Sequence, residues 1–198
     1  MLARINAVIL FTSFVLATKS GEALSQETTR RYTDADVAFM QGMIGHHEQA
    51  LVMTSLVPAR SNRSDVRILA ERIDASQRDE MTMMRRWLTT REQQASHPRD
   101  DHDHAAMSNE HSRMPGMLST GEVDVLAAAK GQAFDRLFLA SMIRHHEGAL
   151  TMVKRLLANR GAAQEPEIFR FISDVDADQT AEIKRMRAMQ RAAQRKPR

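Results

Sequence analysis

The chain has 198 residues, 28 of them Lys or Arg against 25 Asp or Glu, with eight histidines, fourteen methionines and no cysteine. That length serves one domain or two very small ones, and a net charge of only +3, with acids and bases interleaved, offers no dense basic stripe for nucleic acid. Without cysteine there is no disulfide, thiolate metal site, iron–sulfur cluster or lipid-modified cysteine, so soft-metal chemistry falls to thioether and imidazole.

In chain order, Arg4 precedes the apolar run INAVILFTSFVLA, from Ile5 to Ala17. The run is short for a bilayer crossing but suits the core of a signal peptide, and Ala23-Leu24-Ser25 supplies a small-x-small cleavage pattern. Residues 1–25 are expected to be a signal peptide, 26–198 the mature domain, and the protein periplasmic or secreted. The competing reading is an uncleaved membrane anchor; no later segment is apolar and long enough to span a membrane.

Thr33 or Asp34 is expected to cap a first helix that runs to Val57 and is stopped by Pro58. Ser61 to Ser64 read as a turn, and a second helix runs from about Asp65 to about Thr90. Residues 93–118, QQASHPRDDHDHAAMSNEHSRMPGML, have no apolar period and read as a linker. Ser119 or Thr120 then caps a third helical region, interrupted near Gly131 and resuming through His146 to about Asn159, where Gly161 suits a C-cap. A last helix runs from about Glu165 to Ala192, and the basic end RAAQRKPR reads as a solvated helix terminus.

The chain repeats itself. FMQGMIGHHEQALVM from Phe39 returns as FLASMIRHHEGALTM from Phe138, and IDASQRDEMTMM from Ile73 returns as VDADQTAEIKRM from Val175. The second pair shares Asp74/Asp176, Ala75/Ala177, Gln77/Gln179, Glu80/Glu182 and Met84/Met186. The repeating unit is a helical hairpin. Two copies, each with one apolar stripe, bury those stripes on one another, which predicts an all-α four-helix bundle with approximate internal two-fold symmetry.

Helical spacing places Met43, His46, Ala50, Met53 and Val57 on one stripe with His47 at its edge. The second copy repeats this with Met142, His145, Ala149 and Met152, and His146 at the edge. A methionine on such a stripe is ordinarily packing, and a lone buried histidine is ordinarily a hydrogen-bonded core residue. Here a pair of imidazoles, costly to bury without partners, recurs beside methionine where leucine would pack as well. Imidazole and thioether together suit copper. At ~1.5 Å rise per residue, His46 and His47 are expected opposite Asp74 to Gln77, which would hold the rings in orientation. Glu80, Met81 and Met84 are expected nearer Met40, with Glu182, Ile183 and Met186 as counterparts, at a level that is either a methionine cluster or ordinary core. Trp87 is expected to pack rather than to hold a cation. In the linker, His97, His102, His104, Met107, His111, Met114 and Met117 lie beside Asp100, Asp101 and Asp103. The segment reads either as a metal-capturing stretch that folds around its ion or as a tether.

MIGHHEQALVM, MPGML, FDRLFLASMIRHHEGALTMV and the closing EIKRM-x-x-M together resemble an exported bacterial family, the domain of unknown function number three hundred and five, across about residues 35–190. The resemblance implies a ferritin-like four-helix bundle and, through a copper-resistance protein similar to this family, copper held by methionine and histidine. Carried over by motif, the implied ligands are Met43, His46, His47, Met53, Met142, His145, His146 and Met152, with Met114 and Met117 from the linker. Gly45 stands where the second copy has Arg144, so the two copies need not be equivalent.

The expected function is a periplasmic protein that sequesters or carries copper, as Cu(I), Cu(II) or both, without turnover. Its expected partners are the metal ion and another copper-handling protein; the oligomeric state stays open. One alternative is a ferritin-like di-metal oxidase. Such sites want four inward carboxylates and paired Glu-x-x-His motifs, whereas Glu48 and Glu147 turn away from the stripe and only Glu80 and Glu182 recur. The other alternative is a helical interaction module without metal. No Ser-His-Asp or Cys-His arrangement and no phosphate-binding glycine loop is present, so no enzyme is expected.

Overall fold

A computed structural model describes residues 32–91 and 114–195. The expected signal peptide and the linker residues His97, His102, His104, Met107 and His111 lie outside the described residues. The described chain is all-helical, with no strand: α1 (Asp34–Arg60), α2 (Ser64–Thr90), α3 (Thr120–Ala128), α4 (Gly131–Leu157) and α5 (Pro166–Gln194). None of these helices is long and apolar enough to cross a membrane.

The helix starts follow from the sequence. Thr33 Oγ1 accepts from the Asp36 backbone N–H (3.3 Å), and Asp36 Oδ2 accepts from the Thr33 N–H (2.7 Å), a reciprocal cap. The other Asp36 oxygen accepts from the Ala163 N–H (2.8 Å), which ties the start of α1 to the turn before α5. Ser119 and Glu122 build the same cap on α3. The expected break at Gly131 is present, since α3 ends at Ala128 and α4 starts at Gly131. One boundary needs correction. Pro58 does not stop α1, which continues to Arg60. Proline forfeits only the bond to the Thr54 carbonyl, and its ring lies exposed.

α1 packs antiparallel on α2, α4 on α5, and α1 against α4, while the short α3 leans on α1 and α4. Equivalent ion pairs brace the two antiparallel pairs: Glu48 with Arg85 (2.9 Å), and Glu147 with Arg187.

The apolar core comes in two clusters, and the polar residues between them position the site. On α1 the first cluster holds Val37 to Ile44 and the second Ala50 to Val57. On α4 the second holds Phe134 to Ile143 and the first Ala149 to Leu156. α2 changes cluster between Ile73 and Met81, and α5 between Val175 and Ile183. Each long helix therefore interrupts its apolar stripe once: at His46 and His47, at His145 and His146, at Gln77 and Glu80, and at Gln179 and Glu182. At one end of the first cluster Trp87 is buried, as expected. It also meets a cation, because the Arg91 guanidinium lies 4.3 Å from its ring centroid and its Nε1–H donates to Glu165 (2.9 Å). Reading Trp87 as packing alone is corrected accordingly.

Candidate functional site

The four histidines of the repeat are fully buried, including His47 and His146, which the helical wheel set at the edge of the stripe. Each spends its Nε2 on an oxygen. His46 Nε2–H donates to the Pro115 carbonyl (3.0 Å) and His145 Nε2–H to the His46 carbonyl (2.9 Å). His47 Nε2–H donates to Glu80 Oε2 (2.6 Å), and His146 Nε2–H to Glu182 Oε2 (2.7 Å). Carbonyl and carboxylate oxygens only accept, so these partners assign the proton to Nε2 in all four rings. All four Nδ1 atoms are buried without a protein hydrogen-bond partner. The His46 and His145 rings lie 3.8 Å apart, centroid to centroid, at 36°.

Burial, above all, lowers the His46 pKa from 6.5 to about 3; the Pro115 bond opposes this, while His47 and His146 add to it. His145 is held well below its ordinary value by burial and then by His46, His146 and His47. Both rings are therefore neutral, and their free Nδ1 atoms carry lone pairs. The amides of Gln77 and Gln179, one turn before Glu80 and Glu182, are buried and also without partners at either polar atom. A buried polar group left unpaired costs about 1–3 kcal/mol, so these groups weaken the fold that carries them.

The register differs from expectation by about one turn. Glu80 and Glu182, not Asp74 to Gln77, face the histidine pairs, and Asp74 instead bonds Thr54 (3.3 Å). A carboxylate on the distal nitrogen of an imidazole fixes its tautomer and raises its basicity as a ligand. On the outer side of these carboxylates, Asp178 has its pKa raised by burial and then by Glu80, Glu182 and Asp174. A groove of about 440 Å³ between α2 and α5 is lined by Asp178 and Glu182 and also by Arg72 and Arg185, so acids and bases balance there.

The end of the expected linker belongs to the fold. Residues 114–119 form a strap across α1 and α4. Gln49 clamps Leu118 from both sides, donating to its carbonyl (2.9 Å) and accepting from its N–H (2.7 Å), and Leu118 is buried. Gly148 lets the strap cross α4, since a Cβ there would lie 2.0 Å from the Pro115 oxygen. Met114 and Met117 are half-buried in this strap. The Pro115 carbonyl, Gln49 and Gly148 escaped the sequence reading. The mismatch of Gln49 with Gly148 is one of six between the two repeated segments, so it did not stand out as a signal.

The remaining expected ligands divide between the two clusters. Met43 and Met84 are fully buried in the first, Met53, Met142 and Met186 in the second, and Met152 packs half-buried against the first. Among the described residues, no three of His, Cys, Asp and Glu come close enough together to hold one metal ion. The donors are arranged as pairs.

No curated protein matches the chain. Among solved structures, a DUF305 fragment from Deinococcus radiodurans is 34% identical with a TM-score of 0.67, over 80% of this chain and 96% of that one. A DUF305 protein from Streptomyces coelicolor is 28% identical with a TM-score of 0.64, over 77% of this chain and 89% of that one. CopM in its Cu(I)-bound form is 25% identical with a TM-score of 0.60, over 79% of this chain and 96% of that one. CopM has also been solved in Cu(II)-bound and Ag-bound forms. The model of the domain of unknown function DUF305 matches residues 36–190, the span that holds the strap and all four long helices but for their outermost residues, and the chain belongs to that family.

Proposed function

We propose that this is an exported, non-catalytic copper-binding protein that sequesters or carries copper, its four long helices forming a ferritin-like bundle of two repeated hairpins. One observation carries the reading: four buried imidazoles, each with Nε2–H committed to an oxygen and Nδ1 left free. Such rings are oriented as ligands, and their unpaired nitrogens lower stability unless something binds them. Pairs of donors rather than clusters of three suit a low-coordinate soft ion, and Met43 and Met142, one turn from His46 and His145, supply thioethers of the kind that favour Cu(I). The copper- and silver-bound forms of CopM support the same metal class. Export rests on the segment from Arg4 to Ser25. A di-metal oxidase is disfavoured because Glu48 and Glu147 pair with arginines at the surface, and Glu80 and Glu182 serve the histidines.

The test replaces His46, His47, His145 and His146 together with leucine and measures copper content after anaerobic Cu(I) loading and after Cu(II) loading. Most bound copper should be lost while helical circular dichroism is retained. Unchanged copper stoichiometry would refute the assignment.

A further inference from the structure

We propose that the strap of residues 114–119 is the gate to the four imidazoles: it lifts off α1 and α4 to let an ion in, and the grip of Gln49 closes it again. The proposal rests on the copper reading above and concerns how the ion reaches the rings, not which atoms hold it.

All four rings are fully buried, and so are their free Nδ1 atoms. An ion therefore reaches them only when part of the fold moves, and the part that moves most readily is the one whose displacement exposes least. Parting α1 from α2, or α4 from α5, would open the apolar clusters and bring side chains such as Met43, Met84, Phe134 and Phe138 to water. The strap carries one buried apolar side chain, Leu118, while Met114, Pro115, Gly116 and Met117 are half-buried.

Its attachments are of a kind that opens and closes. Gln49 holds the Leu118 carbonyl and N–H through two hydrogen bonds (2.9 and 2.7 Å), and His46 holds the Pro115 carbonyl through a third (3.0 Å). Where the strap crosses α4, Gly148 lies against the Pro115 carbonyl and Gly116, and a Cβ at Gly116 would lie 2.5 Å from the Arg144 oxygen. Neither glycine offers a side chain to lock the crossing.

The strap also lies over the right rings. Pro115 is the oxygen partner of His46, whose ring lies 3.8 Å from that of His145. Arg144 and Gly148, against which Gly116 rests, bracket His145 along α4. Lifting the strap uncovers this pair and frees the His46 Nε2–H; closing it returns the ring to the tautomer that leaves Nδ1 as an acceptor. The seam between α2 and α5 also leads toward the imidazoles, but Glu80 and Glu182 stand in it and hold the Nε2 side of His47 and His146.

The experiment uses the whole chain, anaerobic Cu(I) delivered from and returned to a coloured chelator, and hydrogen exchange at the Leu118 N–H, which is freed when the Gln49 clamp opens. Gln49→Ala removes the clamp and none of the proposed ligands. Copper should then load and leave faster by a similar factor, roughly tenfold for two lost hydrogen bonds, with affinity little changed. The Leu118 N–H should exchange faster in step. Gly148→Ala, whose Cβ would lie 2.0 Å from the Pro115 oxygen, should load at least as fast as Gln49→Ala. A strap that only supports the ring would change release alone, so faster release at unchanged loading overturns the gate, as do parental loading rates in both variants. Loading is read as the phase absent from the variant lacking the four histidines; if that variant loads copper as the parent does, the imidazole reading fails instead.

Discussion

Gly148 lies inside α4, where helix propensity alone predicts that Gly148→Ala stabilises by ~0.5–1 kcal/mol. The geometry predicts the opposite. The new Cβ would lie 2.0 Å from the Pro115 oxygen, 2.5 Å from the Pro115 carbonyl carbon and 2.7 Å from Gly116 Cα. All three are backbone atoms, so no side-chain rotation relieves the clash and the strap must move off α4. Three hydrogen bonds go with it: His46 to Pro115 at 3.0 Å and the Gln49 clamp at 2.9 and 2.7 Å. At ~0.5–1.5 kcal/mol each, less the helix gain, and with the His46 N–H left buried and unpaired, the net loss is about 2–3 kcal/mol. Urea unfolding of the metal-free protein, followed by circular dichroism, should show that loss as a lower midpoint at unchanged slope. The melting temperature should fall by roughly 4–12 °C. Gly42→Ala is the internal control: its Cβ would meet only ordinary contacts at 3.5 and 3.6 Å, so that variant should be as stable as the parent or up to ~1 kcal/mol more so. Equal stability of Gly148→Ala and the parent, or equal losses in both variants, would refute the strap as a structural element.

Glu80→Gln and Glu182→Gln should each keep the helices intact but weaken copper binding by about 10–100-fold, because a neutral amide no longer fixes and polarises the ring; competition against a copper chelator reads this, and unchanged affinity contradicts it. The metal-free protein should also lose stability as pH falls below about 6.5. His46, facing His145, His47 and His146, has a folded pKa of about 3, below its unfolded value of 6.5, so the unfolded chain binds the extra proton. Its contribution is complete above the unfolded value and drains away toward the folded one, at up to ~1.4 kcal/mol per pH unit, and His145 adds in the same direction. Urea midpoints between about pH 7 and 5, above the carboxylate range, should slope downward, and His46→Leu with His145→Leu should flatten the slope.

Most of the fold was legible because it is written in local chemistry. Thr33 with Asp36 and Ser119 with Glu122 cap where capping residues predict, and the duplicated stripe named all four buried histidines in advance. The carboxylate partners were harder to place, because the register across two helices depends on how they slide and tilt on one another, which spacing along one helix does not carry. The turn is where it was read, at 61–63, yet Glu80 rather than Gln77 reaches His47. The strap was not legible at all from periodicity. MPGML has none, and its place is set by a backbone crossing that needs Gly148 and by an amide clamp from Gln49, residues distant in sequence.

Two of the departures between the copies, Gln49 against Gly148 and Gly45 against Arg144, lie at that strap. A repeated structure with an approximate two-fold axis can treat both copies alike only where nothing unique crosses it. One strap lies across α1 and α4, so the copies must differ beneath it. Position 49 carries the glutamine that grips the strap, and its counterpart at 148 carries the glycine that clears it. Arg144, the counterpart of Gly45, reaches Glu122 at the start of α3 (2.7 Å), just beyond the strap. The same asymmetry enters the imidazole layer: His46 is oriented by the Pro115 carbonyl of the strap, whereas His145 is oriented by the His46 carbonyl of α1. Displacing the strap therefore disturbs the orientation of His46 directly and that of His145 only through α1. The carboxylate-held rings, His47 and His146, take their orientation from α2 and α5 and stay as they are. Copper binding in Gly148→Ala should accordingly fall at the His46–His145 pair while the Glu80 and Glu182 pairs keep theirs, which separates the two kinds of imidazole site within one protein.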